Sequence, residues 1–232
     1  MKPGKMNFSF SGFGVPFPVL LTFQVVASCL FLFVAAGLPL ALWASRSKSF
    51  ASRAVSFFVT LPLVFPPIAL GFILLTLFGR NGPIGRFFET MFGFRIIFSR
   101  YAVILAAFVS GLPLVVRPLQ AAMEKAGVRY LEEAARTTGC GPFKTFFLVT
   151  VPQVGNTLIS GLLLSAARAF GEVGVTMMIG GNISGRTNTL SLEIYNSASR
   201  GDFDTAMRLC AALAAVGLIL YIMLEKYRVK ED

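Results

Sequence analysis

The sequence predicts an all-α integral membrane protein with about five transmembrane helices. Hydrophobic residues make up 55% of the 232 residues and charged residues only 14%, and the chain contains 24 phenylalanines. This composition is too apolar for a soluble domain. A helix needs about 20 apolar residues to cross the ~30 Å hydrocarbon core of a bilayer, and the uncharged runs of this chain approach or exceed that length. They place the predicted spans at residues 18–44, 55–78, 97–116, 151–178 and 206–224.

The first span is predicted to be a retained helix. Its apolar region is longer than the about 7–15 residues of a secretory signal, and it ends at Trp43 and a basic segment. The next loop, residues 45–53, carries Arg46, Lys48 and Arg53 and no acidic residue, so the positive-inside rule places it in the cytoplasm. Five spans then put the N-terminus outside and the C-terminus inside, although this topology leaves four arginines of residues 80–100 outside.

Prolines are predicted to interrupt the second span. Pro62, Pro66 and Pro67 remove backbone donors, and such breaks persist at membrane depth only where neighbouring helices or a water-filled cavity satisfy the freed carbonyls. The pattern is typical either of a helix that lines a transport path or of a kink made for packing. Pro113 predicts a similar kink in the third span, which leads into a short cytoplasmic helix at residues 120–125.

The residue patterns typical of catalytic, metal-binding and nucleotide-binding sites are missing from the sequence. The chain has no histidine, no Ser/His/Asp set, no paired carboxylates and no phosphate-binding loop of the Gly-x4-Gly-Lys-Ser/Thr type. We therefore expect neither an enzyme nor a cofactor in this chain. The three cysteines are odd in number and imply no disulfide framework. The net charge of +10 lies in short segments between spans, which fits anionic lipid headgroups better than nucleic acid.

Residues 130–152 predict two short helices that meet at a glycine corner. Apolar or small residues of the first helix recur at i, i+3, i+4 and i+7: Leu131, Ala134, Ala135 and Thr138. Glu132 and Glu133 take the other side of this helix. Gly139 supplies the backbone freedom that ends it, as expected for a left-handed helix-terminating glycine, and Pro142 suits the first turn of the next helix.

This stretch resembles the cytoplasmic motif of the permease subunits of ABC importers. In that motif Glu-Ala-Ala, three residues, Gly and nine residues precede Ile-x-Leu-Pro, and this chain has Val149 and Val151 in place of Ile and Leu. The resemblance implies that a separate cytoplasmic ATPase docks on the corner. The residues that it implies for ATPase coupling are Glu133, Ala134, Ala135, Gly139 and Pro152.

The fourth span contains small residues and two charges. Gly161, Ser165 and Ala169 are spaced for close contact between helices. Arg168 and Glu172 stand one helical turn apart, and each would cost about 2.5–3.5 kcal/mol at the bilayer centre, so neither is expected to face lipid. The pattern fits an ion pair that holds helices in place, or a direct role along a substrate path.

The end of the fourth span and the loop after it resemble the molybdate permeases (ModB-type) of ABC importers. Residues 168–176 match Arg-x-x-Gly-Glu-Phe-Gly-Ala-Thr, with Val173 and Val175 in place of Phe and Ala. Residues 181–190 match Gly-Asn-Ile-Pro-Gly-x-Thr-x-Thr-Leu, with Ser184 in place of Pro. Tungstate and sulfate permeases share parts of this pattern, so those anions stay open as substrates.

The resemblance implies a type I ABC importer permease fold in which residues 1–232 form one transmembrane domain of the plasma (inner) membrane. It also implies a homodimer, a pair of cytoplasmic ATPase subunits that bind ATP and Mg²⁺, and an extracytoplasmic molybdate-binding protein. An ATP-independent carrier or channel is the alternative class, although no internal repeat supports it. The candidates for the translocation path or a helix interface are Pro62, Pro66, Pro67, Arg168, Gly171, Glu172, Thr176 and Asn182.

Overall fold

The computed structural model describes residues 16–47 and 49–227, and all regular structure in those ranges is helical. The α-helices are α1 (Pro16–Leu32), α2 (Leu38–Arg46), α3 (Phe50–Val64), α4 (Pro67–Phe78), α5 (Pro83–Phe92), α6 (Arg100–Glu124), α7 (Ala126–Thr137), α8 (Pro142–Thr145), α9 (Val151–Gln153), α10 (Gly155–Phe170), α11 (Gly174–Gly180), α12 (Leu190–Ser199) and α13 (Phe203–Lys226). π-Helical segments join α1 to α2 (Phe33–Gly37) and α8 to α9 (Phe146–Thr150). Lys48 and both chain termini, on which part of the predicted orientation rests, lie outside the described residues.

The helices provide up to five membrane crossings. Within residues 16–47 and 49–227, three stretches are long and apolar enough to cross a bilayer: Phe17–Arg46, Arg100–Glu124 and Phe203–Lys226. Two bent pairs add a crossing each when a pair is counted as one span. In one pair α5 bends by 45° from α4, and in the other α10 bends by 69° from Pro142–Gln153. The prediction of about five spans in an all-α protein is confirmed.

The predicted second span is two helices. α3 ends at Val64, Phe65 and Pro66 have ψ angles of 140° and 134°, and α4 begins at Pro67. The interruption predicted at Pro66 and Pro67 is confirmed. The interruption predicted at Pro62 is wrong, because Pro62 lies inside the last turn of α3, where only one helical hydrogen bond is lost.

Two further predictions about the spans are wrong. The separate cytoplasmic helix expected at residues 120–125 is the end of α6, which runs unbroken for 25 residues through Pro113. The continuous fourth span expected at residues 151–178 is divided into α9, α10 and α11. At the end of α10 the N–H of Gly171 still makes an α-helical bond to the carbonyl of Ala167, and the N–H of Glu172 bonds three residues back to Ala169, which tightens the last turn.

The α6 helix lies at the centre of the bundle, packed against α2, α3, α10 and α11. Small residues allow the closest approach, as predicted for the fourth span. A Cβ atom on Gly161 would lie 3.1 Å from the carbonyl oxygen of Leu114, and the Ser165 hydroxyl donates to the carbonyl of Gly111 at 2.9 Å. The side chains buried most completely around this contact include Phe33, Val103, Val115, Val116, Leu119, Met123 and Val154.

Candidate functional site

The glycine corner is built by a regular helix-ending motif. The N–H of Gly139 bonds to the carbonyl of Arg136, and the N–H of Cys140 bonds to the carbonyl of Ala135, each at 3.0 Å. These two bonds define a Schellman motif, which requires a left-handed residue at its turn. Gly139 supplies that residue with φ of +87°, as the sequence predicts. The next helix then begins with Pro142 in its first turn, also as predicted.

The buried carboxylate of Glu132 holds this corner to the rest of the chain, although the sequence predicts Glu132 on the side of the helix opposite its apolar stripe. Glu132 is only 5% exposed and forms an ion pair with Arg46 at the end of the first crossing. The Thr150 hydroxyl donates to the same carboxylate at 2.5 Å. Arg129 adds a bond from its guanidinium to the carbonyl of Ser45 at 3.3 Å. The corner is therefore fixed at the end of the bundle where the first crossing ends.

The opposite face of the corner is apolar and exposed. Leu131 is 45% exposed, and the aromatic side chains of Tyr130 and Phe143 are exposed by 71% and 75%. Glu133 and Pro152, both predicted for ATPase coupling, are also exposed. An apolar face that its own chain leaves uncovered beside charged residues is typical of a protein interaction surface.

The two helix breaks in the membrane crossings lie next to each other. A Cβ atom on Gly174, the first residue of α11, would lie 2.7 Å from the Cβ of Pro67, the first residue of α4. One turn further along, a Cβ on Gly71 would lie 2.7 Å from the Cβ of Met178. The structure thus brings together the predicted candidates Pro67 and Thr176, the latter 1% exposed, on two packed helices.

Arg168 and Glu172 form an ion pair across the gap between α10 and α11. Nη1 of Arg168 lies 2.6 Å from Oε2 of Glu172, whose side chain is 2% exposed. The other oxygen of Glu172 accepts a hydrogen bond from the N–H of Val175 at 2.8 Å, in the first turn of α11. These contacts favour the interpretation that the pair holds helices in place. Gly171 between them is not crowded, because an added Cβ would meet nothing closer than 3.7 Å.

Removing both charges is expected to be less harmful than removing Glu172 alone. Glu172→Ala leaves the Arg168 guanidinium without its carboxylate in a low-dielectric setting, whereas the double change Arg168→Ala/Glu172→Ala leaves no unpaired charge. The hydrogen bond to Val175 is lost in both variants. A double-mutant cycle on the assembly and transport of the protein measures the coupling, expected at about 0.5–3 kcal/mol. Additive losses would argue against the pair.

Asn182 organises the loop between α11 and α12. It has a left-handed φ of 49° and exchanges two side-chain hydrogen bonds with Asn196 of α12, at 2.6 and 3.1 Å. Nearby, Glu193 bonds to Arg200 and Asn188 at 2.7 and 2.5 Å. Burial alone would raise the pKa of Glu193, but the hydrogen bonds from Arg200 and Asn188 outweigh it and hold this pKa below its usual value. Asn182 thus joins this loop to a helix.

The comparisons with known proteins agree with this architecture. The model of a family described as the binding-protein-dependent transport system inner membrane component matches residues 37–226. The chain belongs to this permease family. The permease is 35% identical over 213 residues to the molybdenum transport system permease protein ModB of Azotobacter vinelandii, which covers 91% of this chain and 94% of that protein. It is 39% identical over 166 residues to ModB of Escherichia coli (strain K12), with 71% and 72% covered.

Solved structures show the fold of the permease independently. A chain of the bacterial alginate ABC transporter, in complex with an alginate pentasaccharide-bound periplasmic protein, matches with a TM-score of 0.68 at 17% identity and covers 89% of the permease and 75% of its own length. A chain of an amino acid ABC transporter matches with a TM-score of 0.59 at 15% identity, over 96% and 100% of the two chains. The permease therefore has the ABC importer permease fold and is a multi-pass protein of the inner membrane.

Proposed function

We propose that this chain is the transmembrane permease subunit of an ATP-driven importer that carries molybdate into the cell. The observation that carries the proposal is its similarity, over nine-tenths of both lengths, to a permease named for molybdenum transport. The Arg168–Thr176 and Gly181–Leu190 motifs, in which the sequence resembles molybdate permeases, lie at the second helix break and in the loop that Asn182 organises.

The corner supports the proposal that a separate ATPase subunit drives transport. An exposed apolar face at Tyr130, Leu131 and Phe143 suits a docking partner, while the buried Glu132 anchors the same helix to the first crossing. In the proposed complex two copies of this chain form the path, and two ATPase subunits dock on their corners and bind ATP and Mg²⁺. An extracytoplasmic binding protein delivers molybdate and provides most of the selectivity.

Uptake by a reconstituted complex tests this proposal. The permease is placed in proteoliposomes with its ATPase inside and its binding protein outside, and uptake of molybdate, tungstate and sulfate is compared. We expect uptake that requires ATP and the binding protein, persists with a protonophore, and favours molybdate. Preference for sulfate would overturn the substrate, and uptake by the permease alone, driven by a proton gradient, would overturn the importer.

A further inference from the structure

An open cavity of about 880 Å³ lies at the same end of the bundle as the corner. Its walls come from the end of α2, one face of α3 between Ser52 and Thr60, the last turns of α6 and the start of α7. Arg53, Arg117 and Arg129 line it from three different helices, and we refer to it as the arginine cavity. Its position beside Arg46 and the corner places it at the cytoplasmic end of the predicted topology.

None of the three arginines of the cavity forms an ion pair with a carboxylate among the described residues. Elsewhere in the described part of the chain, Arg46, Arg95, Arg168 and Arg200 each form an ion pair with a carboxylate. In the cavity, Arg117 bonds to the neutral Gln120 at 3.1 Å and Arg129 to a backbone carbonyl at 3.3 Å. The side chain of Arg53 has no hydrogen bond or ion pair among the described residues. Three positive charges therefore face one cavity with unused donors.

The only acidic residue of the described cavity wall is Glu124, which offsets one of the three positive charges and leaves an excess of two. Its carboxylate accepts a hydrogen bond from the amide of Gln120 at 3.0 Å. The wall contributed by α3 is polar as well, although most of that helix is apolar. Ser52, Ser56 and Thr60 repeat at every fourth residue and all line the cavity. Two of these hydroxyls already donate to backbone carbonyls, Ser52 to Ala44 at 3.3 Å and Thr60 to Ser56 at 2.7 Å, so the stripe adds polarity and no negative charge while the arginines provide most of the unused donors.

We propose that the arginine cavity binds a tetrahedral oxyanion. Guanidinium groups present planar forks of N–H donors that match the oxygens of such an anion, and charge-assisted bonds of this kind are about twice as strong as neutral ones. The cavity is far larger than the ~30 Å³ share of one water molecule, so the anion enters with part of its hydration shell.

Two sources offer this chemistry at the cytoplasmic end of a membrane protein. One is free molybdate that has crossed the membrane. This source rests on the proposed function, and it would make the cavity a binding site for the transported anion on the cytoplasmic side. The other is the phosphate of an anionic lipid headgroup, since cytoplasmic leaflets attract clustered arginines. Both require the same arginines, and they differ in whether the anion carries acyl chains.

Binding by the assembled permease–ATPase complex, without binding protein, tests the site. The complex is placed in phosphatidylcholine nanodiscs, and molybdate binding is measured by equilibrium dialysis. In parallel, retention of phosphatidylglycerol is measured by native mass spectrometry. The test variant is Arg53→Gln/Arg117→Gln. The matched control, Arg80→Gln/Arg86→Gln, removes the same charge from exposed arginines near the α4–α5 turn.

We expect the test variant to bind one of the two probes at least about tenfold more weakly for each arginine removed. Each tenfold loss of affinity corresponds to ~1.4 kcal/mol of binding free energy. The control variant should bind both probes as the wild type does. A loss confined to molybdate identifies a free oxyanion, and a loss confined to phosphatidylglycerol identifies a lipid phosphate. Unchanged binding of both probes would overturn the proposal. The binding measurement does not depend on uptake, so a wild type that fails to import molybdate would count against the proposed function and not against the cavity.

Discussion

Glu132→Ala is expected to destabilise the cytoplasmic corner and to remove most transport. The carboxylate of Glu132 is 5% exposed, pairs with Arg46 and accepts the Thr150 hydroxyl at 2.5 Å. Hydrogen bonds to charged groups contribute about 1.5–3 kcal/mol each, and alanine removes both while it leaves the partly exposed Arg46 without a carboxylate. We therefore expect a loss of about 3 kcal/mol or more, measured as a lower midpoint of thermal unfolding of the purified permease and as reduced uptake.

The adjacent residue provides the matched control. Glu133→Ala makes the same chemical change one position along α7, but Glu133 is exposed. It should leave the free energy of unfolding within about 0.5 kcal/mol of the wild type, as exposed substitutions do, and weaken ATPase docking mildly. Equal unfolding midpoints for the two variants would show that burial of the Glu132 carboxylate contributes nothing to the corner.

The parts of the fold that sequence predicted are those decided within a few residues. Gly139 ends α7 in a left-handed conformation because a residue without a Cβ adopts that conformation at little steric cost. Pro66 and Pro67 separate α3 from α4 because consecutive residues without N–H groups cannot continue a helix. The apolar runs likewise give the number of crossings, since burial in lipid depends on local composition.

The burial of Glu132 was missed because its partner is distant in the chain. Arg46 lies 86 residues away, and no local pattern joins the two positions. The sequence pattern predicts an apolar stripe containing Leu131 on one side of α7 and the acids on the other, yet the structure buries Glu132 and exposes Leu131. The usable signal was the spacing of Val128 and Glu132, four residues apart and both buried.

The restart of the helix at Gly174 was missed for a related reason. Residues 151–178 are apolar enough to suggest one span. Apolar content does not show where a side chain accepts a backbone N–H that would otherwise bond within the helix. Glu172 does so when its carboxylate accepts the N–H of Val175. The break also depends on Pro67, which packs against Gly174 from another helix. The contact of Pro67 with Gly174 is visible only when tertiary contacts are known, and the hydrogen bond of Glu172 is local but does not change the hydropathy of the segment.

The buried contacts of Glu132 define what the corner is attached to. Arg46 ends the first crossing, and Thr150 lies at the end of the π-helical segment that leads through α9 to α10. One carboxylate therefore joins α7 to two separate membrane elements. A partner bound at the exposed Tyr130 and Phe143 face would therefore contact a corner whose Glu132 holds both elements.

Gly139→Val is expected to uncouple the permease from the proposed ATPase while it leaves the membrane bundle folded. Gly139 has φ of +87°, where a side chain with a Cβ costs roughly 1–2 kcal/mol, and a β-branched residue is especially unsuited to that region. The cost is conformational and not a clash, because an added Cβ meets no atom within 4 Å. The corner relieves this strain by turning differently, which moves Phe143 relative to Tyr130 and disrupts their shared surface.

Two variants distinguish this explanation from a general loss of stability. Gly139→Asn should retain most docking, because asparagine tolerates the left-handed conformation better than other residues. Gly141→Val places the same side chain two residues away, where φ is −66° and ψ is 161° and space is equally open, so its effect should be small.

Docking is measured as the affinity of the permease for its ATPase, and coupling as stimulation of ATP hydrolysis by loaded binding protein. We expect Gly139→Val to weaken docking about tenfold, equivalent to ~1.4 kcal/mol, with unchanged insertion and unfolding of the spans. Wild-type transport and coupled hydrolysis in Gly139→Val would mean that the corner is an ordinary loop. A surface that still functions after the backbone at Gly139 has been distorted cannot be the surface that positions the ATPase.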